Sequence, residues 1–251
     1  MKQRIIFFTS VVLFFAVTST QANMTLFLSG DCSMVSPLVY PNGTPEPINP
    51  GNQQFFSNVL GSGTNVAVLQ GGNTIRDGSI NSYYDSLSGV SSSIFSGTVT
   101  SAQLSGVDLF VSILPVDNFT GSEIAAMDSF LSGGGDIFFL GEHSGFADYN
   151  ARINDALTGL GSCLSIVNDS FDGYWHSATG SQIASDPYTA GVTLFRYAAT
   201  SQVLGGTTLF YGTSGQPFVT YGVAPIPAPG AMLLGGIGIG LVNWLRRRRT
   251  I

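Results

Sequence analysis

The chain has 251 residues, 44% of them hydrophobic and only 10% charged, which excludes a disordered, charge-solvated polymer. Six of its nine bases sit at the two ends, so residues 5–245 hold Arg76, Arg152 and Arg196 against all fifteen acids, a net charge of −12. An acidic body repels phosphate backbones, and nucleic acid is not an expected partner.

Lys2 and Arg4 precede a mostly apolar run from Ile5 to Val17 and then the small residues Thr18 to Ala22. A basic start, a short apolar core and small residues at the exit make residues 1–22 a secretory signal peptide, cut after Ala22. The apolar run is short beside the roughly 20 residues of a membrane span. Export makes Cys32 and Cys163 candidates for one disulfide, with two separate buried thiols as the alternative. Neither cysteine sits at a glycine elbow or beside a histidine in sequence, and neither reads as a nucleophile.

Thr25 to Leu28 reads as a short strand, and the proline-broken stretch from Pro37 to Pro50 as a loop. Gln53 to Leu60 places Phe56, Val59 and Leu60 on one helical face. Asn65 to Leu69 is a strand followed by Gln70-Gly71-Gly72-Asn73, where the paired glycines either wrap a ligand or only turn the chain. A short helix is expected over Ser82 to Val90 and a weak strand over Ile94 to Val99. Val107 to Leu114 is a clear strand, stopped by Pro115.

The stretch from Thr120 to Gly145 carries the strongest local signals. Thr120 and Glu123 form a capping box, and Ile124, Met127, Phe130 and Leu131 share one helical face. Gly133-Gly134-Gly135 ends that helix. Ile137 to Leu140 is apolar throughout, as a strand buried on both faces must be, and it runs into Gly141-Glu142-His143-Ser144-Gly145. Ile153, Ala156, Leu157 and Leu160 then predict a helix ended by glycine. Leu164 to Val167 predicts a strand, Asp169 to Gly180 a polar, aromatic loop, and Asp186-Pro187 a turn before Gly191 to Phe195. Thr207 to Tyr211 and Phe218 to Val223 close the body as strands. This alternation predicts an α/β domain over residues 23–222, with a mostly parallel sheet and helices on both faces.

Residues 223–230 form a proline-rich linker, Ala231 to Leu245 an apolar, glycine-rich transmembrane segment, and residues 246–251 an arginine tail. Fifteen residues is short for a span, and snorkelling arginines make up the difference. Arginine beyond the span stays in the cytoplasm and leaves the body outside.

Pro227-Ala228-Pro229-Gly230, the apolar span, and Arg246, Arg247, Arg248 and Arg249 together resemble the PEP-CTERM sorting signal of Gram-negative bacteria. The family's usual central glutamate is Ala228 here. The resemblance implies an exosortase-type processing enzyme as partner, a transient stay in the inner membrane, and release to the cell surface or exopolysaccharide matrix. The body, through residues 108–115, 120–145 and 186–192, resembles the class I glutamine amidotransferase-like domain in its trehalose-utilisation-type branch. That resemblance implies a flavodoxin-like fold. Active members carry a cysteine at the centre of the elbow where this chain has His143, and a late catalytic histidine with a nearby glutamate. Here His176 has no acidic residue two positions on, so glutamine hydrolysis is not expected.

An elbow at a strand end exposes its central side chain on the rim of the sheet, which makes His143 the first candidate for a functional residue. Glu142, with Asp31, Asp172 and His176, is read either as a metal or acid–base cluster or as a set of hydrogen bonds to neighbouring loops. A metal would need three or more converging ligands, and no cofactor is called for. Trp175 and Tyr174 either stack on a sugar ring or cap the core. Three functions follow: a non-catalytic surface or matrix protein that binds glycan, a hydrolase using Glu142 and His143, and a structural partner domain.

Overall fold

The structure, a computed structural model, describes residues 24–35 and 46–223. The expected signal peptide, most of the proline-broken loop before Glu46, and the linker, apolar segment and arginine tail beyond Val223 lie outside the described residues. No helix among the described residues is long and apolar enough to cross a membrane.

Five parallel strands form the centre: β1 (Thr25–Ser29), β2 (Asn65–Leu69), β3 (Ser91–Phe95), β4 (Leu109–Ile113) and β5 (Asp136–Leu140). Their order across the sheet is β1-β5-β4-β2-β3. Every residue of β1 and β4 is buried, and so is β5 after Asp136, because these strands are covered on both faces. Phe27, Val68, Val111 and Phe138 face one layer, made by Phe55, Phe56 and Val59 of α1 (Pro50–Leu60) and Ile80 and Tyr84 of α2 (Thr74–Asp85). The alternate residues Leu26, Leu28, Phe110, Ile137 and Phe139 face Met127 and Leu131 of α3 (Gly121–Ser132) and Ile153 and Leu157 of α4 (Ala147–Gly159). A period of two along each strand thus supplies both cores.

After α4 the chain makes two small antiparallel pairs. β6 (Ser165–Ile166) and β7 (His176–Thr179) pair respectively with β9 (Val203–Leu204) and β8 (Leu194–Tyr197). Then β10 (Thr207–Tyr211) and β11 (Pro217–Val223) join the main sheet antiparallel, β11 lying against β1. The expected strand at Leu164 to Val167 is therefore not a member of the parallel sheet, and the expected loop at Asp169 to Gly180 ends in a hairpin strand.

β3 begins three residues before the expected Ile94 to Val99, α1 begins at Pro50 instead of Gln53, and two further helix boundaries also differ from expectation. α2 starts at Thr74, eight residues before the expected Ser82, because Asn73 caps it by accepting the Arg76 N–H at 3.2 Å. Its apolar face is thin, only Ile80 and Tyr84 being buried hydrophobics, so periodicity alone does not reveal it. The capping box at Thr120 and Glu123 forms as expected. At the other end of α3, however, Gly133 is still helical at φ −80° and Gly134, at φ 94°, makes the left-handed step.

α1 and α2 leave β1 and β2 toward one face, while α3 and α4 leave β4 and β5 toward the other. Connections therefore diverge at two places, between β1 and β5 and between β2 and β4. Crevices open at the carboxyl ends of strands where connections diverge in this way.

Gly71 closes the turn after β2 so tightly that a Cβ there would lie 1.7 Å from the Ile113 carbonyl oxygen. Gly78, inside α2, has open space around it. Gly71→Ala is expected to destabilise by about 1–3 kcal/mol or more, while Gly78→Ala should stabilise by roughly 0.5–1 kcal/mol. Urea denaturation midpoints of the two variants should move in opposite directions.

Candidate functional site

The first crevice is organised by Glu142, the second residue after β5. Gly141 lets the chain turn here by close approach, since a Cβ would sit 2.5 Å from both Asn150 Oδ1 and Ile166 Cδ1. Asn150 of α4 then grips the Glu142 peptide: its Oδ1 accepts the Glu142 N–H at 3.0 Å and its Nδ2 donates to the Glu142 carbonyl at 2.6 Å. Ser201 Oγ donates a second bond to the same carbonyl at 3.0 Å.

So held, the Glu142 side chain reaches back under the loop that follows β1. Its Oε2 accepts from Cys32 Sγ at 3.1 Å, Ser33 Oγ at 3.2 Å and Arg76 Nη1 at 3.2 Å. Arg76 also donates to Cys32 Sγ at 2.9 Å and to Ser33 Oγ at 2.7 Å. The ion pair is nearly dry, with side-chain exposures of 14% for Arg76 and 3% for Glu142. Burial pushes the Glu142 carboxyl above its usual range, with Arg76 pulling the other way. Burial, reinforced by the charge of Glu142, drives the Cys32 thiol well upward and keeps it protonated.

His143 does not stand free on the rim. Its ring is half-buried, Nδ1 accepts the Gly145 N–H at 3.0 Å, and the ring meets Phe146 edge-on at 5.2 Å. Its φ of −57° is unstrained, so the turn is not a strained elbow. It is the His143 backbone N–H that bonds the Glu142 carboxylate, donating to Oε1 at 3.2 Å. The imidazole does cap the short helical turn Ser144–Phe146.

The remaining expected residues separate into two groups. Asp31 is fully buried behind the Glu142 cluster, with Oδ1 accepting the Ser33 N–H at 2.6 Å and Oδ2 the Ala198 N–H at 2.8 Å. Burial and then the charge of Glu142 push its carboxyl up to about 7. Asp172 and His176 do not join it. Asp172, at φ 52°, accepts from Tyr197 Oη at 2.6 Å and from the backbone and hydroxyl of Thr213, and His176 lies over the Tyr197 ring at 5.8 Å. The four acidic and histidine residues therefore do not form one cluster. Among the described residues no group of three or more His, Cys, Asp or Glu side chains could hold a metal ion.

The two cysteines do not pair. Cys32 is committed to Arg76 and Glu142 at the carboxyl end of the sheet, while Cys163 is exposed beyond the far end of α4. A bridge would need both on one end of the domain.

Above the cluster lies a cavity of about 320 Å³. Ser33, Arg76, Glu142 and His143 form its polar floor, and Phe146, Tyr174 and Trp175 its aromatic wall. Trp175 is braced from one side by the Arg196 guanidinium, 5.2 Å from its ring centre, and Tyr174 is 86% exposed. Sequence reading missed Ser33, Arg76 and Phe146. The available signal was Arg76 itself, one of three bases in an acidic body, four residues after a double glycine.

No protein-family model and no curated protein matches the chain. A solved structure, the mmIFT52 N-terminal domain, is similar over 52% of this chain and 70% of that one, with 21% sequence identity and a TM-score of 0.43.

Several buried carboxylates titrate far above their ordinary range. Asp31 rises to about 7, and burial lifts Asp77 and Asp136 to about 6 each. In the unfolded chain the same groups ionise near pH 4. Between these values the folded state holds more protons on these three groups, so their contribution to stability is full below about pH 4 and falls as pH rises to about 7, while Glu123 and Asp172, whose carboxyls are held below their ordinary range, lose theirs only at lower pH. Tm should drop by roughly 5 °C or more from pH 4.5 to 7.5, and Asp77→Asn should flatten the part of that slope below pH 6. A Tm that rises over this range would contradict the burial argument.

Proposed function

We propose that this protein is an exported surface or exopolysaccharide-matrix protein whose domain, flavodoxin-like and related to the glutamine amidotransferase-like group, binds glycan without catalysing a reaction. The observation that carries the binding reading is the cleft at the β1/β5 crevice, where the exposed Tyr174 and the half-buried Trp175 and Phe146 face a floor of hydrogen-bonding groups. Sugar rings present an apolar face and a polar rim, and such a cleft offers a partner for each. The export reading is supported by the basic–apolar start and by the proline, apolar and arginine segments at the end, with an exosortase-type enzyme as processing partner and the inner membrane as a transient station.

A hydrolase using Glu142 and His143 has less support. Glu142 Oε2 already accepts from three side chains, and His143 Nδ1 is occupied by Gly145. A hydrolase would have to work through the other atoms of these groups, Glu142 Oε1 and His143 Nε2. Cys32 is held as a thiol and is a poor nucleophile in that state.

Affinity electrophoresis through gels containing soluble polysaccharides tests the binding reading. The protein should be retarded, and Trp175→Ala should weaken retention about tenfold, as expected for loss of one stacked ring worth roughly 1.4 kcal/mol. Migration unaffected by every polysaccharide would refute it.

The export reading is tested by mass spectrometry of protein recovered from the producing cells. The mature chain should contain neither Lys2 nor Arg246, and a full-length chain at the cell surface would overturn the processing assignment.

A further inference from the structure

The β2/β4 crevice holds a second cavity, of about 250 Å³, on the same edge of the sheet as the Glu142 cleft. Gln70, Thr98, Asp117 and Asn118 line it and are exposed. The side chains of Gln70, Asp117 and Asn118 make no hydrogen bond to another described residue, so their amide and carboxylate groups face solvent in search of partners. Such groups match pairs of adjacent hydroxyls, taking one hydroxyl as donor and the other as acceptor.

The two cavities are joined by a row of half-buried rings. His143 meets Phe146 at 5.2 Å, and Phe146 meets Tyr149 at 6.1 Å. The Arg152 guanidinium lies over Tyr149 at 5.0 Å and donates to the carbonyl of Pro115 at 3.1 Å, and Pro115 lines the second cavity. Tyr149 in turn lies against the bare backbone of Gly72, where a Cβ would come within 2.7 Å of its ring. From the β1/β5 crevice to the β2/β4 crevice is two strand spacings, about 10 Å. That is comparable to the length of two linked sugar rings.

We infer that the two crevices are subsites for a single extended, electrically neutral polysaccharide chain, which crosses the carboxyl edge of the sheet along the His143–Phe146–Tyr149–Arg152 row. The inference rests on the glycan-binding reading above and specifies its ligand. Neutrality follows from charge. The described residues carry three bases against fifteen acids; Asp117 presents an exposed carboxylate in the second subsite, and in the first the Glu142 charge is paired with Arg76. The body's three bases lie along this path but are engaged, Arg76 by Glu142, Arg196 by Glu46 and Arg152 by the Tyr149 ring and the Pro115 carbonyl, so a chain of uronates would meet the net repulsion of the acidic body, whereas hydroxyls and apolar ring faces do not. An extended ligand also gains by occupying both subsites at once, because the second contact is made within a complex already formed.

The test measures binding of the full chain to disaccharides and hexasaccharides of β-1,4-glucan, β-1,3-glucan and β-1,4-mannan by titration calorimetry, with an alginate hexasaccharide as the anionic arm. In the series that binds, the hexasaccharide should bind about tenfold or more tighter than the disaccharide. Asn118→Ala and Gln70→Ala, both at exposed positions, should each weaken the hexasaccharide several-fold and leave the disaccharide unchanged. Trp175→Ala should weaken both lengths. Equal affinity for the two lengths, or silent Asn118→Ala and Gln70→Ala variants, overturns the two-subsite inference while leaving glycan binding intact. Alginate binding as tightly as the neutral chains overturns the assignment of a neutral ligand. Failure of every oligosaccharide to bind overturns the glycan reading and this inference with it.

Discussion

The Arg76–Glu142 ion pair ties together the parts of the domain that make the first crevice. Glu142 comes from the end of β5, Cys32 and Ser33 from the loop after β1, and Arg76 from the first turn of α2. These segments are distant in sequence, and three strands and a helix must be in place before they meet. A buried pair of this kind adds little net stability over an apolar replacement, but losing one partner leaves a charge stranded and costs about 3–5 kcal/mol. Its effect is therefore to specify one arrangement of the crevice more than to strengthen the fold. Cys32 and Ser33 complete the arrangement by occupying the sites that the ion pair leaves open.

The ion pair also decides what the crevice can do. A carboxylate already bonded to a guanidinium, a thiol and a hydroxyl is a fixed acceptor with little freedom as a base. A histidine whose Nδ1 caps a backbone turn is a fixed ring. This arrangement favours the binding reading proposed above, which asks of the edge only shape, stacking and hydrogen bonding. Tyr174, Trp175 and Phe146 around it remain at least partly exposed among the described residues. Asp172, Tyr197 and Thr213 anchor the segment that leads to Tyr174 and Trp175, so the wall of the cleft is positioned by a polar cluster separate from its floor.

Much of the fold was legible in local pattern. β1, β2, β4 and β5, α3 with its capping box, and α4 follow from apolar runs, glycine stops and helical spacing. What escaped was the start of α2, whose polar first turns carry little periodicity, and the fate of the segment after α4. Leu164 to Val167 looks like a parallel strand, yet it pairs as β6 with β9 outside the main sheet, since pairing partners are chosen by tertiary contact and not by composition. The site was legible in outline only. Glu142 and Trp175 were found by position, at a strand end and in an aromatic loop. Ser33 and Arg76 were missed because nothing in sequence links them to residue 142. His143 lines the cleft with its ring half-buried instead of on the open rim, and of the two options for the cysteines the structure has separate thiols, one of them exposed, because sequence shows neither which way a ring turns nor which end of the sheet a thiol occupies.

By itself, the sequence determined the class of the domain, its buried parallel strands and the glycine turns at their carboxyl ends, because these depend on side-chain periodicity and on backbone preferences within a few residues. It also determined the acidity of the body, which is a matter of counting. The tertiary structure alone decided which side chains meet. It brought Arg76 to Glu142 across 66 positions, kept Asp172 and His176 away from them, and set two crevices on one edge. The physical reason is that convergence in a parallel α/β domain is set by strand order and by the face each helix takes, and both are chosen by how the whole core packs.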